Sequence, residues 1–414
     1  MERQKIIKDI NIPVINVDEF DYALPADKIP KYPLPERQSS KLLLYKDGKI
    51  SEQRFSEIAN FLPPESLLVF NDSKVIHARL FFKKPTGASI EIFCLEPVSP
   101  AEFSQNFSAT KSVVWKCLVG NAKKWKSGTL TKPITINNQS FLLTAEKRQT
   151  VENNFLIRFS WTENISFGEI ITEAGKIPIP PYLNRDSEPI DNSRYQTVYA
   201  QTDGSVAAPT AGLHFTDTIF DHLKHKNIDT GFVTLHVSAG TFKPVKSDFI
   251  AGHQMHREWI NISVEMLEKL KMAETIFSVG TTSLRTLESL YWYGEEWIRT
   301  GENPTLVSQW IPYQKNKRPV FHQVLDFLIE KSQTQKKDNI LFATELIIVP
   351  GYQFQVVDGL ITNFHQPRST LLMLVAAIVG KHKWKEIYDF ALTNNFRFLS
   401  YGDSSLLIPP KEKK

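Results

Sequence analysis

The chain has 414 residues, 42% hydrophobic and 23% charged, and its 49 basic and 45 acidic residues give a formal net charge of +4. These values exclude a generally disordered or collagen-like chain and supply enough apolar material for about two or three domains. Two cysteines, Cys94 and Cys117, are too few for a disulfide framework or a four-cysteine zinc site, and the mild positive charge allows a polyanionic partner without requiring one.

Residues 1–16 read as a loose arm with no apolar signal-peptide core. The segment 20–45 is punctuated by Pro25, Pro30, Pro33 and Pro35, so it is expected to be extended until a strand at 42–45. Between Ser66 and about Ser160, short apolar runs recur at 67–70, 75–82, 89–95, 113–119, 134–136, 141–144 and 155–159, separated by turn residues. That spacing predicts an antiparallel sheet or small barrel. After Gly168, helical periodicity at 215–226, 264–277 and 284–293 alternates with strand-like runs at 230–237, 275–279, 345–349 and 355–357. The expected fold is an α/β (mixed α+β) main domain, residues 1–64 and 166–414, with an inserted antiparallel β-barrel-like domain at 65–165. Residues 294–340, with a helix at 320–330 and the polar tract 331–339, read as a peripheral insertion. The run 371–379 is apolar on all sides and reads as a buried helix; it is too short to span a membrane. A cytoplasmic location is the expectation.

Five stretches hold groups suited to chemistry. Residues 204–212 are almost wholly small and lead to His214 before a helix near Thr216; this is either a close-packed turn or a loop that approaches a ligand. His236 leaves its strand opposite Val233, Leu235 and Val237, just before the small-residue turn Ser238-Ala-Gly-Thr241, as an acid–base group or a structural one. Thr281, Thr282 and Ser283 follow Gly280 at a helix start, with Arg285 on the first turn: an anion site or ordinary capping, Glu288 being then a helix-face partner of Arg285. Asn363, His365 and Arg368 precede the buried helix, a rigid support for a site. Residues 396–403 interleave aromatics with Arg397 and Asp403, suited to stacking on bases or to a packed C-terminal strand. No dinucleotide fingerprint, P-loop, HExxH or nucleophile elbow occurs.

Taken in order, Phe20-Asp-Tyr-Ala-Leu-Pro25, Asn71-Asp-Ser-Lys-Val-Ile-His-Ala-Arg79, Gly175-Lys-Ile-Pro-Ile-Pro-Pro-Tyr182, Arg194-Tyr-Gln-Thr-Val-Tyr199, Ala207-Ala-Pro-Thr-Ala-Gly-Leu-His-Phe215, Thr234-Leu-His236, Gly240-Thr-Phe242, Met255-His256, Val279-Gly-Thr-Thr-Ser283, Pro350-Gly-Tyr352, Thr362-Asn-Phe-His365 and Ser400-Tyr-Gly-Asp403 resemble the S-adenosylmethionine:tRNA ribosyltransferase-isomerase family of queuosine synthesis. The chain departs from that pattern at Ser238, Gln366, Arg368 and Phe342-Ala-Thr-Glu345, and residues 294–340 are longer than usual. The resemblance implies transfer and isomerisation of the ribosyl group of S-adenosylmethionine onto 7-aminomethyl-7-deazaguanine at the tRNA wobble position, giving epoxyqueuosine, adenine and methionine. The reaction begins with loss of a proton beside the sulfonium and needs a proton as adenine leaves. The resemblance places His214, His236 and His365 in catalysis. It gives Thr210, Gly212, Gly240, Thr241, Thr281, Thr282, Ser283, Arg285 and Asn363 to S-adenosylmethionine, and Arg79, Arg194, Arg368 and Arg397 to tRNA. No metal or cofactor beyond that co-substrate is expected, and the state expected is a monomer. The competing readings are a non-catalytic RNA-binding paralogue, or one acting on another deazaguanine or RNA.

Overall fold

The run Ser66–Asn71 is apolar towards both faces, the pattern of a strand at the centre of a parallel sheet, and all six residues are buried. In the computed structural model, which describes residues 12–238, 245–314 and 318–410, this strand sits in the middle of a ten-stranded sheet. The order across the sheet is Leu306–Val307, Asn339–Thr344, Glu258–Ser263, Asp229–Leu235, Ser66–Asn71, Thr275–Val279, Gly359–Asn363, Ser404–Ile408, Lys41–Lys46 and Lys49–Arg54. The four strands from Asp229–Leu235 to Gly359–Asn363 run parallel to one another, with antiparallel neighbours on both sides. Their carboxyl ends therefore share one edge of the fold.

One face of this sheet is covered by the helix Thr281–Thr300, which buries Leu284, Leu287, Leu290 and Tyr291, with the helix Phe321–Gln335 beside it. On the other face Phe215, Ile219 and Leu223, from and before the helix Asp217–His225, pack on Leu68, Phe70 and Phe277. The apolar helix Thr370–Val379 is buried as its composition predicts, and the Ser369 hydroxyl caps it by accepting from Leu372 N–H. Among the described residues no helix is long and apolar enough to cross a membrane.

A second, seven-stranded antiparallel sheet runs in the order Gly175–Lys176, Arg79–Lys83, Ser89–Ser99, Ser112–Gly120, Asn154–Ser160, Gln139–Val151 and Thr129–Ile136. It curls around its own core of Leu80, Phe82, Ile92, Trp115, Leu143 and Phe159, and the helix Phe167–Ala174 packs into that core. The expected barrel is not closed: among the described residues no ladder joins the last strand to the first. Lys132 instead donates from Nζ to the Ala174 carbonyl at 2.7 Å, across the gap.

Several elements differ from their sequence reading. The strand at 67–70, read with the 65–165 segment, belongs to the large sheet because both its faces are apolar. The run 75–82 divides: Ser73–Val75 pairs in parallel with Thr202–Ser205, and Arg79–Lys83 joins the curled sheet. The helix read over 264–277 ends at Met272, and the one read over 284–293 runs from Thr281 to Thr300, so the segment 294–340 begins inside it. The apolar runs 345–349 and 355–357 are not strands; the ladders form at Asn339–Thr344 and Gly359–Asn363. Residues 1–11 of the expected arm lie outside the described residues.

The segment 355–357 has another partner for its amides. Glu288, fully buried on the long helix, accepts from the N–H groups of Gln355, Val356 and Val357 and from the Tyr352 hydroxyl, at 2.7–3.1 Å. Burial pushes its carboxyl above the usual range, and these four donors oppose that shift. Glu288 is thus not the ion-pair partner of Arg285. Glu288→Ala would leave four buried donors without an acceptor, and urea unfolding should show a loss of about 3–5 kcal/mol. Glu288→Gln, which keeps one acceptor oxygen, should lose less; equal losses would remove the carboxylate from this role.

Candidate active site

In open α/β sheets the crevice beyond the carboxyl ends of parallel strands is the common ligand position. Here the four parallel strands deliver four short segments to that edge: residues 236–238, 72–75, 280–282 and 364–366. Gly280 makes the sharpest of these exits. It passes from strand to helix at φ +89°, a conformation that favours glycine. Two adjoining cavities lie here, of about 840 and 740 Å³ counting their open mouths, and they share Thr281, Thr282, Ser369 and Leu371 as a common wall.

The larger cavity is lined by the small residues 207–211, by Tyr182 and Ser400, and by Thr210, Asn363 and His365. The Thr210 hydroxyl donates to Asn363 Oδ1 at 3.0 Å, and Asn363 Nδ2 donates to His214 Nε2 at 3.1 Å. His214 then donates from Nδ1 to the Ser40 hydroxyl at 2.9 Å and packs on the Phe55 ring. Both its nitrogens are occupied, so His214 stands behind Asn363 rather than in the cavity. Burial is the main cause that lowers its pKa to about 4.

His365 is the histidine that lines the larger cavity. Its Nε2 lies 3.0 Å from the Thr362 hydroxyl, and its backbone is fixed on both sides, N–H to the Tyr388 hydroxyl and C=O from the Tyr22 hydroxyl. Desolvation lowers its pKa to about 3, so the imidazole is neutral throughout the physiological range.

The smaller cavity holds the charge. Arg285, 7% exposed, donates from Nη1 to Glu258 at 2.6 Å and from Nε to the Leu346 carbonyl at 3.2 Å. Among the described residues its Nη2 is buried with no partner, as are the hydroxyls of Ser238 and Thr282 on the same walls. The N-terminus of the 20-residue helix Thr281–Thr300 opens here as well, adding partial positive charge. These unspent donors suit a carboxylate. Among the described residues no group of three His, Cys, Asp or Glu is placed to hold a metal ion.

Other expected site residues are placed elsewhere. His236 stacks on Phe103 of the helix Phe103–Ser108 at 4.1 Å, with Nδ1 buried and, among the described residues, unpartnered, and it lines neither cavity. Gly204 lies against it at φ +138°; a Cβ there would meet His236 Nδ1 at 2.6 Å. Burial lowers the pKa of His236 to about 4. Gly212 packs against the Tyr199 hydroxyl, and the Ser283 hydroxyl donates back to the Val279 carbonyl, so neither reaches a cavity. Gly240 and Thr241 lie outside the described residues. Of the four arginines assigned to tRNA, Arg79 is paired with Glu91, Arg368 with Asp18 and Arg397 with Asp403, while Arg194 donates to the carbonyls of Leu34 and Pro35. Each is thus anchored by the protein, with part of the Arg79, Arg368 and Arg397 side chains still exposed.

The site also gains residues the sequence did not single out. Tyr182 and Ser400 share a hydrogen bond at 2.5 Å across the larger cavity, and burial pushes the Tyr182 phenol up to about 12. Both stand at the ends of motifs quoted above. His253 and His256 line the smaller cavity. Glu258 had no local signal, since only the fold sets it beside Arg285.

The family described as queuosine biosynthesis protein matches residues 17–407. The S-adenosylmethionine:tRNA ribosyltransferase-isomerase of Legionella pneumophila (strain Corby) is 37% identical over 95% of this chain and 100% of its own length. That of Francisella tularensis subsp. novicida is 35% identical over the same shares. A crystal structure of S-adenosylmethionine tRNA ribosyltransferase from Thermotoga maritima is 29% identical, covers 94% of this chain and 100% of that one, and superposes with a TM-score of 0.46. With the family matched over nearly its whole length, the chain belongs to the queuosine biosynthesis protein family.

Proposed function

We propose that this protein is an S-adenosylmethionine:tRNA ribosyltransferase-isomerase, which moves the ribosyl group of S-adenosylmethionine onto 7-aminomethyl-7-deazaguanine in tRNA and isomerises it, releasing adenine and methionine. The observation that carries the reading is the joined pair of cavities, with a neutral imidazole in one and an unpartnered guanidinium nitrogen in the other. A sulfonium nucleoside laid across the shared wall would put its amino-acid carboxylate at Arg285, Thr282 and the helix N-terminus. Its sugar would then lie in the larger cavity, against the small residues 207–211. The reaction takes place within the α/β body, and the curled sheet is an inserted unit beside it. The enzyme works in the cytoplasm, as a monomer, with S-adenosylmethionine as co-substrate and no further cofactor.

His365 is the proposed proton acceptor. When Nε2–H donates to Thr362 Oγ1, the Nδ1 lone pair is free to take a proton from the carbon beside the sulfonium. His214 is a positioning residue: it fixes Asn363, which with Thr210 orients the substrate. His236 serves the contact with Phe103.

The deciding assay supplies S-adenosylmethionine and tRNA bearing the aminomethyl deazaguanine, and follows free adenine and the mass of the modified nucleoside. Both products should appear, with none of the donor's methyl on the RNA; a methylated product would end the reading. His365→Ala should lower kcat at least about 10²-fold. Arg285→Gln should raise the Kd for S-adenosylmethionine about 10- to 100-fold in calorimetry, the size of a lost charge-assisted hydrogen bond.

The depressed histidine pKa values fix the pH behaviour. Native His365 stays neutral down to about pH 3, so kcat for adenine release should show no fall centred near 6.5 from this group. Stability, unlike kcat, does respond to pH in this range. The unfolded chain takes up protons below about pH 6.5 and the native histidines do not, so their contribution to stability is present above 6.5 and shrinks as pH falls towards about 4. The urea midpoint should drop between pH 7 and pH 5, by less in His236→Gln; an equal drop in that variant would contradict the burial effect.

A further inference from the structure

A third cavity, of about 300 Å³ with its mouth, lies on the other side of Ser400 from the larger one and has His214 in its wall. It is lined by three guanidinium groups from separate parts of the chain: Arg37, Arg194 and Arg397. Arg37 donates to the carbonyls of Leu213 at 3.2 Å and Ser193 at 2.7 Å, and Arg194 to those of Pro35 at 3.0 Å and Leu34 at 2.5 Å. Arg397 alone has a carboxylate, Asp403 at 2.8 Å. Asp191, the acid nearest in sequence to Arg194, is taken up by both Nη atoms of Arg185, at 2.7 Å each. Among the described residues, then, Arg37 and Arg194 are anchored by neutral oxygens only.

This is an unfavourable way to hold cations unless something negative joins them. Burial, and then the Arg194 charge, holds the Arg37 guanidinium below its usual range. Among the described residues Arg194 Nε is buried with no partner. The backbone carbonyls spend one side of each fork and leave further N–H groups for a ligand. Three guanidinium groups gathered on one small cavity suit a phosphate, whose oxygens can accept from more than one of them.

We propose that this cavity binds one backbone phosphate of the tRNA, between Arg37, Arg194 and Arg397, and so sets the strand that carries the modified base beside the larger cavity. The inference rests on the reading of tRNA as the substrate. Sequence alone pointed to Arg194 and Arg397; Arg37 enters only because the fold brings the turn Arg37–Ser39 to them.

The test measures equilibrium binding of unmodified tRNA across a salt series, with calorimetry of S-adenosylmethionine as the check that each variant is folded. Arg37→Gln should bind tRNA about 10-fold more weakly and lower the slope of log K against log salt by about 0.7–1, the loss of one phosphate contact. Arg37→Lys, which keeps the charge, should restore most of the slope. Unchanged tRNA affinity and slope in an Arg37→Gln protein that binds S-adenosylmethionine normally would overturn the proposal. So would stabilisation by inorganic phosphate that Arg37→Gln abolishes while tRNA binding stays at the wild-type level, because the cavity would then take a free anion. Binding is read without turnover. A protein that shows the expected slopes but releases no adenine would therefore count against the reaction and not against this cavity.

Discussion

The Asn363 side-chain amide is the joint on which the site depends. It ends the last of the four parallel strands, accepts from Thr210 and donates to both His214 and the Asp403 carbonyl. One planar group thereby ties the small-residue segment 207–211, the imidazole behind it and the chain entering the strand Ser404–Ile408. An amide carries a donor and an acceptor at fixed separation. A carboxylate here would have no proton for His214 Nε2, and an apolar residue would leave the Thr210 hydroxyl and His214 Nε2 without this partner. The neutral state of His214 is part of the same arrangement, since a protonated ring could not accept from Asn363.

Charge is divided within the site. The larger cavity is bounded by neutral polar groups, and burial keeps His365 uncharged there. The smaller one gathers Arg285 and Glu258, and the helix N-terminus at Thr281 and Thr282 stands in the wall between the two. A guanidinium at one end and a neutral wall at the other suit a ligand whose two ends differ in sign.

Much of this was legible before the fold was known, for identifiable reasons. The buried helix Thr370–Val379 and the helix Asp217–His225 follow from apolar patterning that neighbours do not override. The glycine exit into Thr281 and Thr282 follows from local chain chemistry. The run 345–349 misled because its burial comes from packing on the long helix, with no ladder, so composition mimics a strand. Side-chain direction was the least readable property. Ser283 and Gly212 turn into the protein and His214 stands away from the larger cavity, and a sequence does not say which side of a short irregular segment faces a given void. The pairing of Glu258 with Arg285 and the meeting of Arg37 with Arg194 and Arg397 were invisible because they join residues far apart along the chain.

The carboxylate of Glu288 also fixes the helix that carries the site. Seven residues, about two turns, separate it from Thr281. Sliding the helix by one residue would shift it about 1.5 Å and turn it about 100°, which would swing the carboxylate away from all four of its donors. The helix therefore has one permitted screw position. The amides at its tip are aimed by a fastening roughly 10 Å behind them, on a residue that lines neither cavity.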